Sequence, residues 1–489
     1  MASLRTAATA ALAALIAAAP SSAQSSSDGC PNTLRVVDYA APVAAPGWAY
    51  RLAARGLRRP RSLAFDAAGG LLVVDVGAGV LRLAVEQDRG ATCVVLGEAR
   101  TVVNSTQLTH GLALSTDGKT LYASSASSVV AWPYDPSTGK VTGPNRTVVA
   151  NLSSSERGEA TTRTLLASRK RPGTLVVSRG GLLDDDGDAG ARARASGHAQ
   201  IRAFDVGGLG PDDEAIDFAG GHGRRGNGSV LLGWGLRNAV GVAEHPARGG
   251  IWSVENSIDE LTRAGRDAHR DNPAEELNFH GRLDGNGAPD RDGGGNYGFP
   301  LCFAVWNATA LPDAGSLRTG DQFAGPEAAA SRVSDEQCSN DYVAPRLVFQ
   351  AHSSPLDIKF NGDGSRAFIS FHGSWNRESP VGYRIAAVAF NNATGEPSAP
   401  RDSTNAAVDV LSAPDLASCP DGCFRPVGLA WDASGRLWFS SDTTGEIFVL
   451  HQSGDGGDGA NVGAPLLAPA LAAVRAAVLC AVVVAVFLA

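Results

Sequence analysis

Apolar residues in this chain gather into short runs that come in pairs. Each pair is an apolar strand, a tight polar turn usually carrying Gly, and a second apolar strand. Six copies begin near Ser62 (SLAFDAAGGLLVVD), Gly111 (GLALSTDGKTLYAS), Thr164 (TLLASRKRPGTLVVS), Ala239 (AVGVAEHPARGGIWSVE), Pro355 (PLDIKFNGDGSRAFIS) and Val427 (VGLAWDASGRLWFSS). A sheet built from such a unit cannot bury both of its faces alone, so recurrence along the whole chain predicts radial packing of blades. The predicted fold class is all-β, a six-bladed β-propeller. Copies start roughly 50 to 115 residues apart, against about 40 to 50 per blade in ordinary propellers. Blades 3 to 5 therefore carry long loop insertions, and insertions of that length commonly form lids or binding loops.

The propeller is expected over residues 34–452. Leu34 to Leu57 precedes the first full copy and is the natural strand to complete the last blade, which would remove an open edge. Both ends read as processing signals. Residues 1–23 hold one Arg, an apolar run from Ala7 to Ala19 and a small-residue exit, the order of a secretory signal peptide. Residues 453–489 begin with the polar spacer SGDGGDGANVGA and become almost wholly apolar from Pro465. That order matches a glycosylphosphatidylinositol (GPI) attachment signal, with the lipid received near Ser453 to Gly456. The expected location is the extracellular face of the plasma membrane or the cell wall. A single spanning helix is the alternative reading, against which stand Arg475 inside the run and the lack of a basic flank after it.

Secretion accounts for the cysteines. Cys480 lies in the tail, and the remaining six are an even set suited to disulfides in an oxidising compartment. Proximity pairs Cys30 with Cys93, Cys302 with Cys338 and Cys419 with Cys423. Asn104, Asn145, Asn151, Asn227, Asn307 and Asn392 each head a glycosylation sequon. The net charge of −8 excludes the broad basic face that a nucleic-acid partner requires. Two insertions, LLDDDGDAGA from Leu182 and DGNGAPDRDGGGN from Asp284, have the oxygen-rich, Gly-rich character of a Ca²⁺ loop or of an ordinary solvated loop.

Candidate chemistry lies just before the innermost strand of each blade, at Arg61, His110, Arg163, Arg237 with Asn238, His352 and Arg425. Radial symmetry brings these positions toward one axis, where clustered like charges repel unless an anion sits among them. Two loops open on the same face. FHGSWNR brings His372, Trp375, Asn376 and Arg377, and the fourth-blade loop brings Glu255, Asn256, Asp271, Asn272, Glu275 and Glu276. Arg forks, a Trp ring face and oxygen ligands together suit a flat, multiply anionic aromatic cofactor beside a divalent cation.

The stretches GLRNAVGVAEHPARGGIWSVENS, HRDNPAEELNFHG, NYGFPLC and FHGSWNR resemble the fungal pyrroloquinoline-quinone (PQQ)-dependent sugar dehydrogenases, also called pyranose dehydrogenases. These are similar more distantly to bacterial sorbosone, aldose-sugar and soluble glucose dehydrogenases. The resemblance spans about Leu34 to Gln452. It implies PQQ and calcium on the axis of a six-bladed propeller and oxidation of the anomeric carbon of a sugar. It further implies that His110 is the general base, that Arg237 and Asn238 contact the quinone oxygens, and that the backbone of Asn272 and Pro273 holds the calcium. Asn272 stands where bacterial relatives have Gly. Arg61, Arg163, Arg377 and Arg425 are candidates for the PQQ carboxylates, mainly by rim position, with Trp375 over the ring. His352 and His372 are candidate cofactor contacts and alternative bases. By the same resemblance, electrons would leave to a separate acceptor such as a cytochrome or a copper polysaccharide monooxygenase.

Two other readings compete. A calcium-dependent lactonase-type hydrolase would line its metal with Glu, Asp and Asn, whereas this rim is rich in Arg and His. A cofactor-free binding propeller at the cell surface is the second.

Overall fold

The computed structural model describes residues 29–153, 158–182, 189–210, 212–220, 229–283 and 294–453. The signal and anchor segments, the sequon at Asn227 and most of both acidic insertions lie outside the described residues.

The second strand of each repeat, such as Leu71–Asp75 or Leu437–Ser441, is buried along its whole length or, in blades 2 and 5, at every residue after the first. A strand with water on one face alternates apolar and polar residues, so these continuous runs mean that each sheet is covered on both faces. The covering comes from neighbours. Six blades form, with inner strands Pro60–Phe65, Leu108–Leu114, Leu165–Ala167, Ala239–Glu244, Pro355–Phe360 and Pro426–Trp431. Each inner strand touches the next in order, and the sixth touches the first, which closes the ring. Between every two adjacent blades lies one apolar cluster. Trp438 and Ile447 of blade 6, for example, pack on Leu71 and Val73 of blade 1, and Trp252 of blade 4 packs with Phe360 and Phe390 of blade 5.

The last blade is built from both ends of the described chain. Trp48–Ala54 pairs antiparallel with Glu446–Gln452, within the Leu34 to Leu57 segment expected to close the ring. The apolar run LRVVDYA forms no strand. Leu34, Val36 and Tyr39 instead pack irregularly on the cluster between blades 5 and 6. All three expected disulfides are present, and Cys30–Cys93 fastens the N-terminal segment to the first blade.

The longest excursion, residues 283–346, leaves the third strand of blade 4 (Glu275–Arg282) and returns as its fourth (Leu347–Phe349). It carries the hairpin Cys302–Ala304/Gln322–Ala324 and the helix Asp335–Asp341, whose N-terminus is closed by a Ser334/Gln337 capping box. Gly295–Asn296 of this excursion pairs in parallel with the outer strand of blade 3.

Candidate active site

The loops before the inner strands and after the second strands surround a cavity on the propeller axis. Its empty space is about 690 Å³, open mouth included. Val240 and Leu356 belong to an apolar plug, completed by Val427, where three inner strands meet. Of the residues expected at the site, Arg61, Arg237, Asn238, His352, His372 and Trp375 line the cavity together with Asp259, Glu275 and Asn376. Trp375 stands at the mouth, 68% exposed.

His372 follows the second strand of blade 5. Its Nε2 lies 2.8 Å from Asp442 Oδ1, and since a carboxylate only accepts, the imidazole donates there. Nδ1 is thereby the acceptor nitrogen. Burial holds the His372 pKa below its ordinary value, outweighing the pull of Asp442. Although burial alone would raise Asp442, the adjoining His372 and Arg61 bring its pKa well below the usual carboxylate range. Arg61 Nη1 pairs with the same carboxylate at 2.6 Å. Its Nε donates to His110 Nδ1 at 3.2 Å. His110 thus stands behind Arg61, 2% exposed, with Nδ1 already accepting a hydrogen bond. Its pKa is driven well below the ordinary value by burial and then by Arg61 and Lys359.

A second network faces it from blades 4 and 5. Arg237 bonds Asp259 at 3.0 Å and the carbonyl of Ser257, while its backbone N–H donates to Glu255 at 2.5 Å. His352 Nε2 donates to the carbonyl of His269 at 2.6 Å, and Nδ1 lies 3.8 Å from Asp259. Burial would lower the His352 pKa, but Asp259, that carbonyl and Glu275 prevail and raise it. His352 and Ser354 hold φ of 64° and 56°, a left-handed backbone that non-glycine residues adopt at a cost and that clusters at functional sites. Glu275 accepts N–H groups of Ser257 and Ser354, yet burial pushes its pKa up to about 7.

The other expected residues lie elsewhere. Arg163 is fully buried among Glu159 and the carbonyls of Leu152, Ala126 and Ala160. Arg425 sits beneath the FHGSWNR loop, bonding the carbonyls of His372 and Gly373. Arg377 lines a neighbouring cavity and lies 3.6 Å from Asp271. Asn272 is fully buried, with its amide committed to Trp306 and Asn307, so only backbone oxygen remains for a cation. Among the described residues, no group of three or more His, Cys, Asp or Glu side chains is arranged to hold a metal ion.

The rim cations are not the unneutralised ring that the sequence suggests. Arg61, Arg163, Arg237 and Arg377 each face an internal carboxylate, and Arg425 faces carbonyls. Repulsion within the ring therefore demands no bound anion. The partners Asp442, Asp259 and Glu159 were missed in the sequence. Asp442 was detectable there, because it follows the second strand of its blade as His372 follows that of blade 5.

The TrAA12-like family model matches residues 42–453. The PQQ-dependent sugar dehydrogenase of Hypocrea jecorina is 52% identical over 88% of this chain and 93% of its own length. The chain belongs to the fungal AA12 family of PQQ-dependent sugar dehydrogenases. A structure of the Trichoderma reesei AA12 enzyme described as a calcium structure shares 52% identity with this AA12 protein. It covers 86% of the AA12 chain here and 100% of its own, at a TM-score of 0.80. The holo form of the pyranose dehydrogenase PQQ domain from Coprinopsis cinerea shares 32% identity over 86% and 99% of the two chains, at a TM-score of 0.76.

Proposed function

We propose that this AA12 protein is a secreted, membrane-anchored quinoprotein that oxidises the anomeric carbon of a sugar with PQQ and calcium. Electrons then pass to a separate acceptor such as a cytochrome or a copper polysaccharide monooxygenase. The observation that carries the reading is the axial cavity. A neutral imidazole backed by a carboxylate, a guanidinium–amide pair (Arg237 and Asn238) and an exposed indole line one polar space.

The residues present fit the cofactor. The guanidinium groups of Arg61 and Arg237, the amide of Asn238 and the exposed indole of Trp375 line one cavity, a donor set suited to a flat anionic ring. Arg237 and Asn238 would hold the quinone edge, Trp375 would cover a ring face, and Arg61 and His352 offer positive charge to carboxylates. The backbone of Asn272 and Pro273 is the proposed calcium ligand. Arg163 and Arg425 act as supports for the loops they bond. When bound, PQQ supplies the two-electron sink for the hydride equivalent of the anomeric C–H.

His372 is the proposed general base in preference to His110. Its Nδ1 accepts the proton of the anomeric hydroxyl, and Asp442 stabilises the resulting imidazolium through Nε2–H. His110, with Nδ1 engaged by Arg61, carries its proton on Nε2 and holds Arg61 in place. The signal peptide and GPI anchor rest on the sequence, and the three disulfides support an oxidising compartment.

Titration of metal-stripped protein with PQQ and Ca²⁺ is expected to give a saturable absorbance change and sugar-dependent dye reduction. No uptake would leave a hydrolase or a cofactor-free binder. In the loaded protein, His372→Ala should retain PQQ and lose about 10²- to 10⁴-fold in turnover. Near-normal turnover in that variant, with the loss appearing in His110→Ala instead, would return the base to His110. Release of the protein from cells by phosphatidylinositol-specific phospholipase C checks the anchor.

A further inference from the structure

A second cavity opens beside the axial one, with about 960 Å³ of empty space including its mouth. The two share one residue, Asn376, whose Nδ2 and Oδ1 are both buried and unpartnered. A buried amide left with a free donor and a free acceptor is costly unless a ligand serves both. The second cavity is walled by the segments 267–271 and 376–379 and by Ala310.

The chemistry of this wall selects the ligand. Three carboxylates (Asp267, Asp271, Glu378) stand against two guanidinium groups (Arg270, Arg377), so there is no cationic excess to draw an anion. Both guanidinium groups already face Asp271, at 2.8 and 3.6 Å, and Asp267 is bonded by His269 at 2.6 Å. Only Ala268 and Ala310 are apolar among the lining residues, which excludes a lipid or aromatic ligand. A neutral molecule dense in hydroxyl groups, each both donor and acceptor, matches the wall and the orphaned amide alike.

We infer that the second cavity is a glycosyl subsite. The ring being oxidised occupies the axial cavity, the next sugar residue of an oligosaccharide occupies the second, and Asn376 bonds hydroxyls at the boundary as a specificity-determining residue. The inference rests on the sugar dehydrogenase reading. It identifies the substrate class as reducing oligosaccharides in addition to monosaccharides.

The test is isothermal titration calorimetry of the intact protein, with and without PQQ and Ca²⁺, against D-glucose and against cellobiose, lactose and maltose, which share a reducing-end glucose. At least one disaccharide should bind fivefold or more tightly than glucose. Asn376→Ala should cost that disaccharide about tenfold in affinity. Ala310→Trp, which adds bulk to the lining of the second cavity and leaves Asn376 in place, should bring disaccharide and glucose to parity. Equal binding of glucose and all three disaccharides by the wild type, or a preference that survives Ala310→Trp, would overturn the subsite. Absorbance of the same samples reports PQQ uptake separately. A failure of the cofactor reading is thus distinguished from a failure of the subsite.

Discussion

Asp442 holds two side chains at once, taking Arg61 at 2.6 Å and His372 at 2.8 Å on its two oxygens. This sharing sets the expected pH behaviour. The His372 pKa is lowered by burial, so the imidazole is neutral and able to accept a proton above that value. Turnover should fall on acidification along a limb that lies below the ordinary histidine value of about 6.5. Asp442 opposes the lowering, so Asp442→Asn should move the limb to still lower pH while kcat falls by about 10²- to 10⁴-fold. A limb that moves upward would refute the pairing. The sequence displayed His372, Trp375 and Asn376 as a conspicuous loop. The carboxylate that tunes His372 was marked less plainly: Asp442 lies 70 residues away in sequence, and only its place after the second strand of blade 6 points to it. Arg61 finds Asp442 across a blade boundary with no local spacing to announce it, whereas Glu159 is only four residues from Arg163 and Asp259 belongs to the same blade as Arg237.

Strand-level devices stitch one blade to the next. Ser440 Oγ donates to the carbonyl of Arg61 in blade 1 at 2.6 Å and accepts from Gly428 N of its own blade. Ser124 repeats this with Arg163 and Gly111 between blades 2 and 3. The glycine is needed because the next backbone crosses closely: a Cβ at Gly428 would meet the carbonyl oxygen of Arg61 at 2.3 Å. Gly428→Ala should therefore destabilise by about 3 kcal/mol and Ser440→Ala by about 1–3 kcal/mol, read by denaturant unfolding. In blade 4, Glu255 and Glu276 stand opposite each other on paired strands. Burial followed by mutual repulsion raises Glu255 well above its ordinary value, and burial raises Glu276 to about 7. Raised carboxyl groups favour the fold when protonated. This contribution is complete below about pH 4.5 and is lost as pH rises through 7. Thermal melts should show that loss, and Glu276→Gln should flatten it. An unaltered pH slope in the variant would exclude this source. The strands were readable from the repeat, but this pair was not, since the sequence placed both residues in a loop.

At the scale of the molecule, blade number and order followed from repetition alone, because each repeat is one sheet and each sheet needs neighbours. The closing strand, Trp48–Ala54, lies within the segment Leu34 to Leu57 expected to supply it, whose residue bounds the sequence left broad. Leu34, Val36 and Tyr39 are as apolar as a strand yet pack irregularly, and only tertiary contacts decide between the two. The Cys30–Cys93 link ties this segment across a sequence separation of 63 residues. Cys93→Ser should cost about 2–4 kcal/mol, visible as a lower denaturation midpoint, and an unchanged midpoint would show the packing alone suffices. The seam has a further consequence for biosynthesis. Trp48–Ala54 is made among the first strands and waits for Glu446–Gln452, the last. The imidazole on blade 5 draws its carboxylate from blade 6 and that carboxylate's second partner from blade 1. A ribosome-bound chain therefore lacks this histidine–carboxylate–arginine contact until almost the whole propeller has emerged, so its formation reports that the circle has been completed.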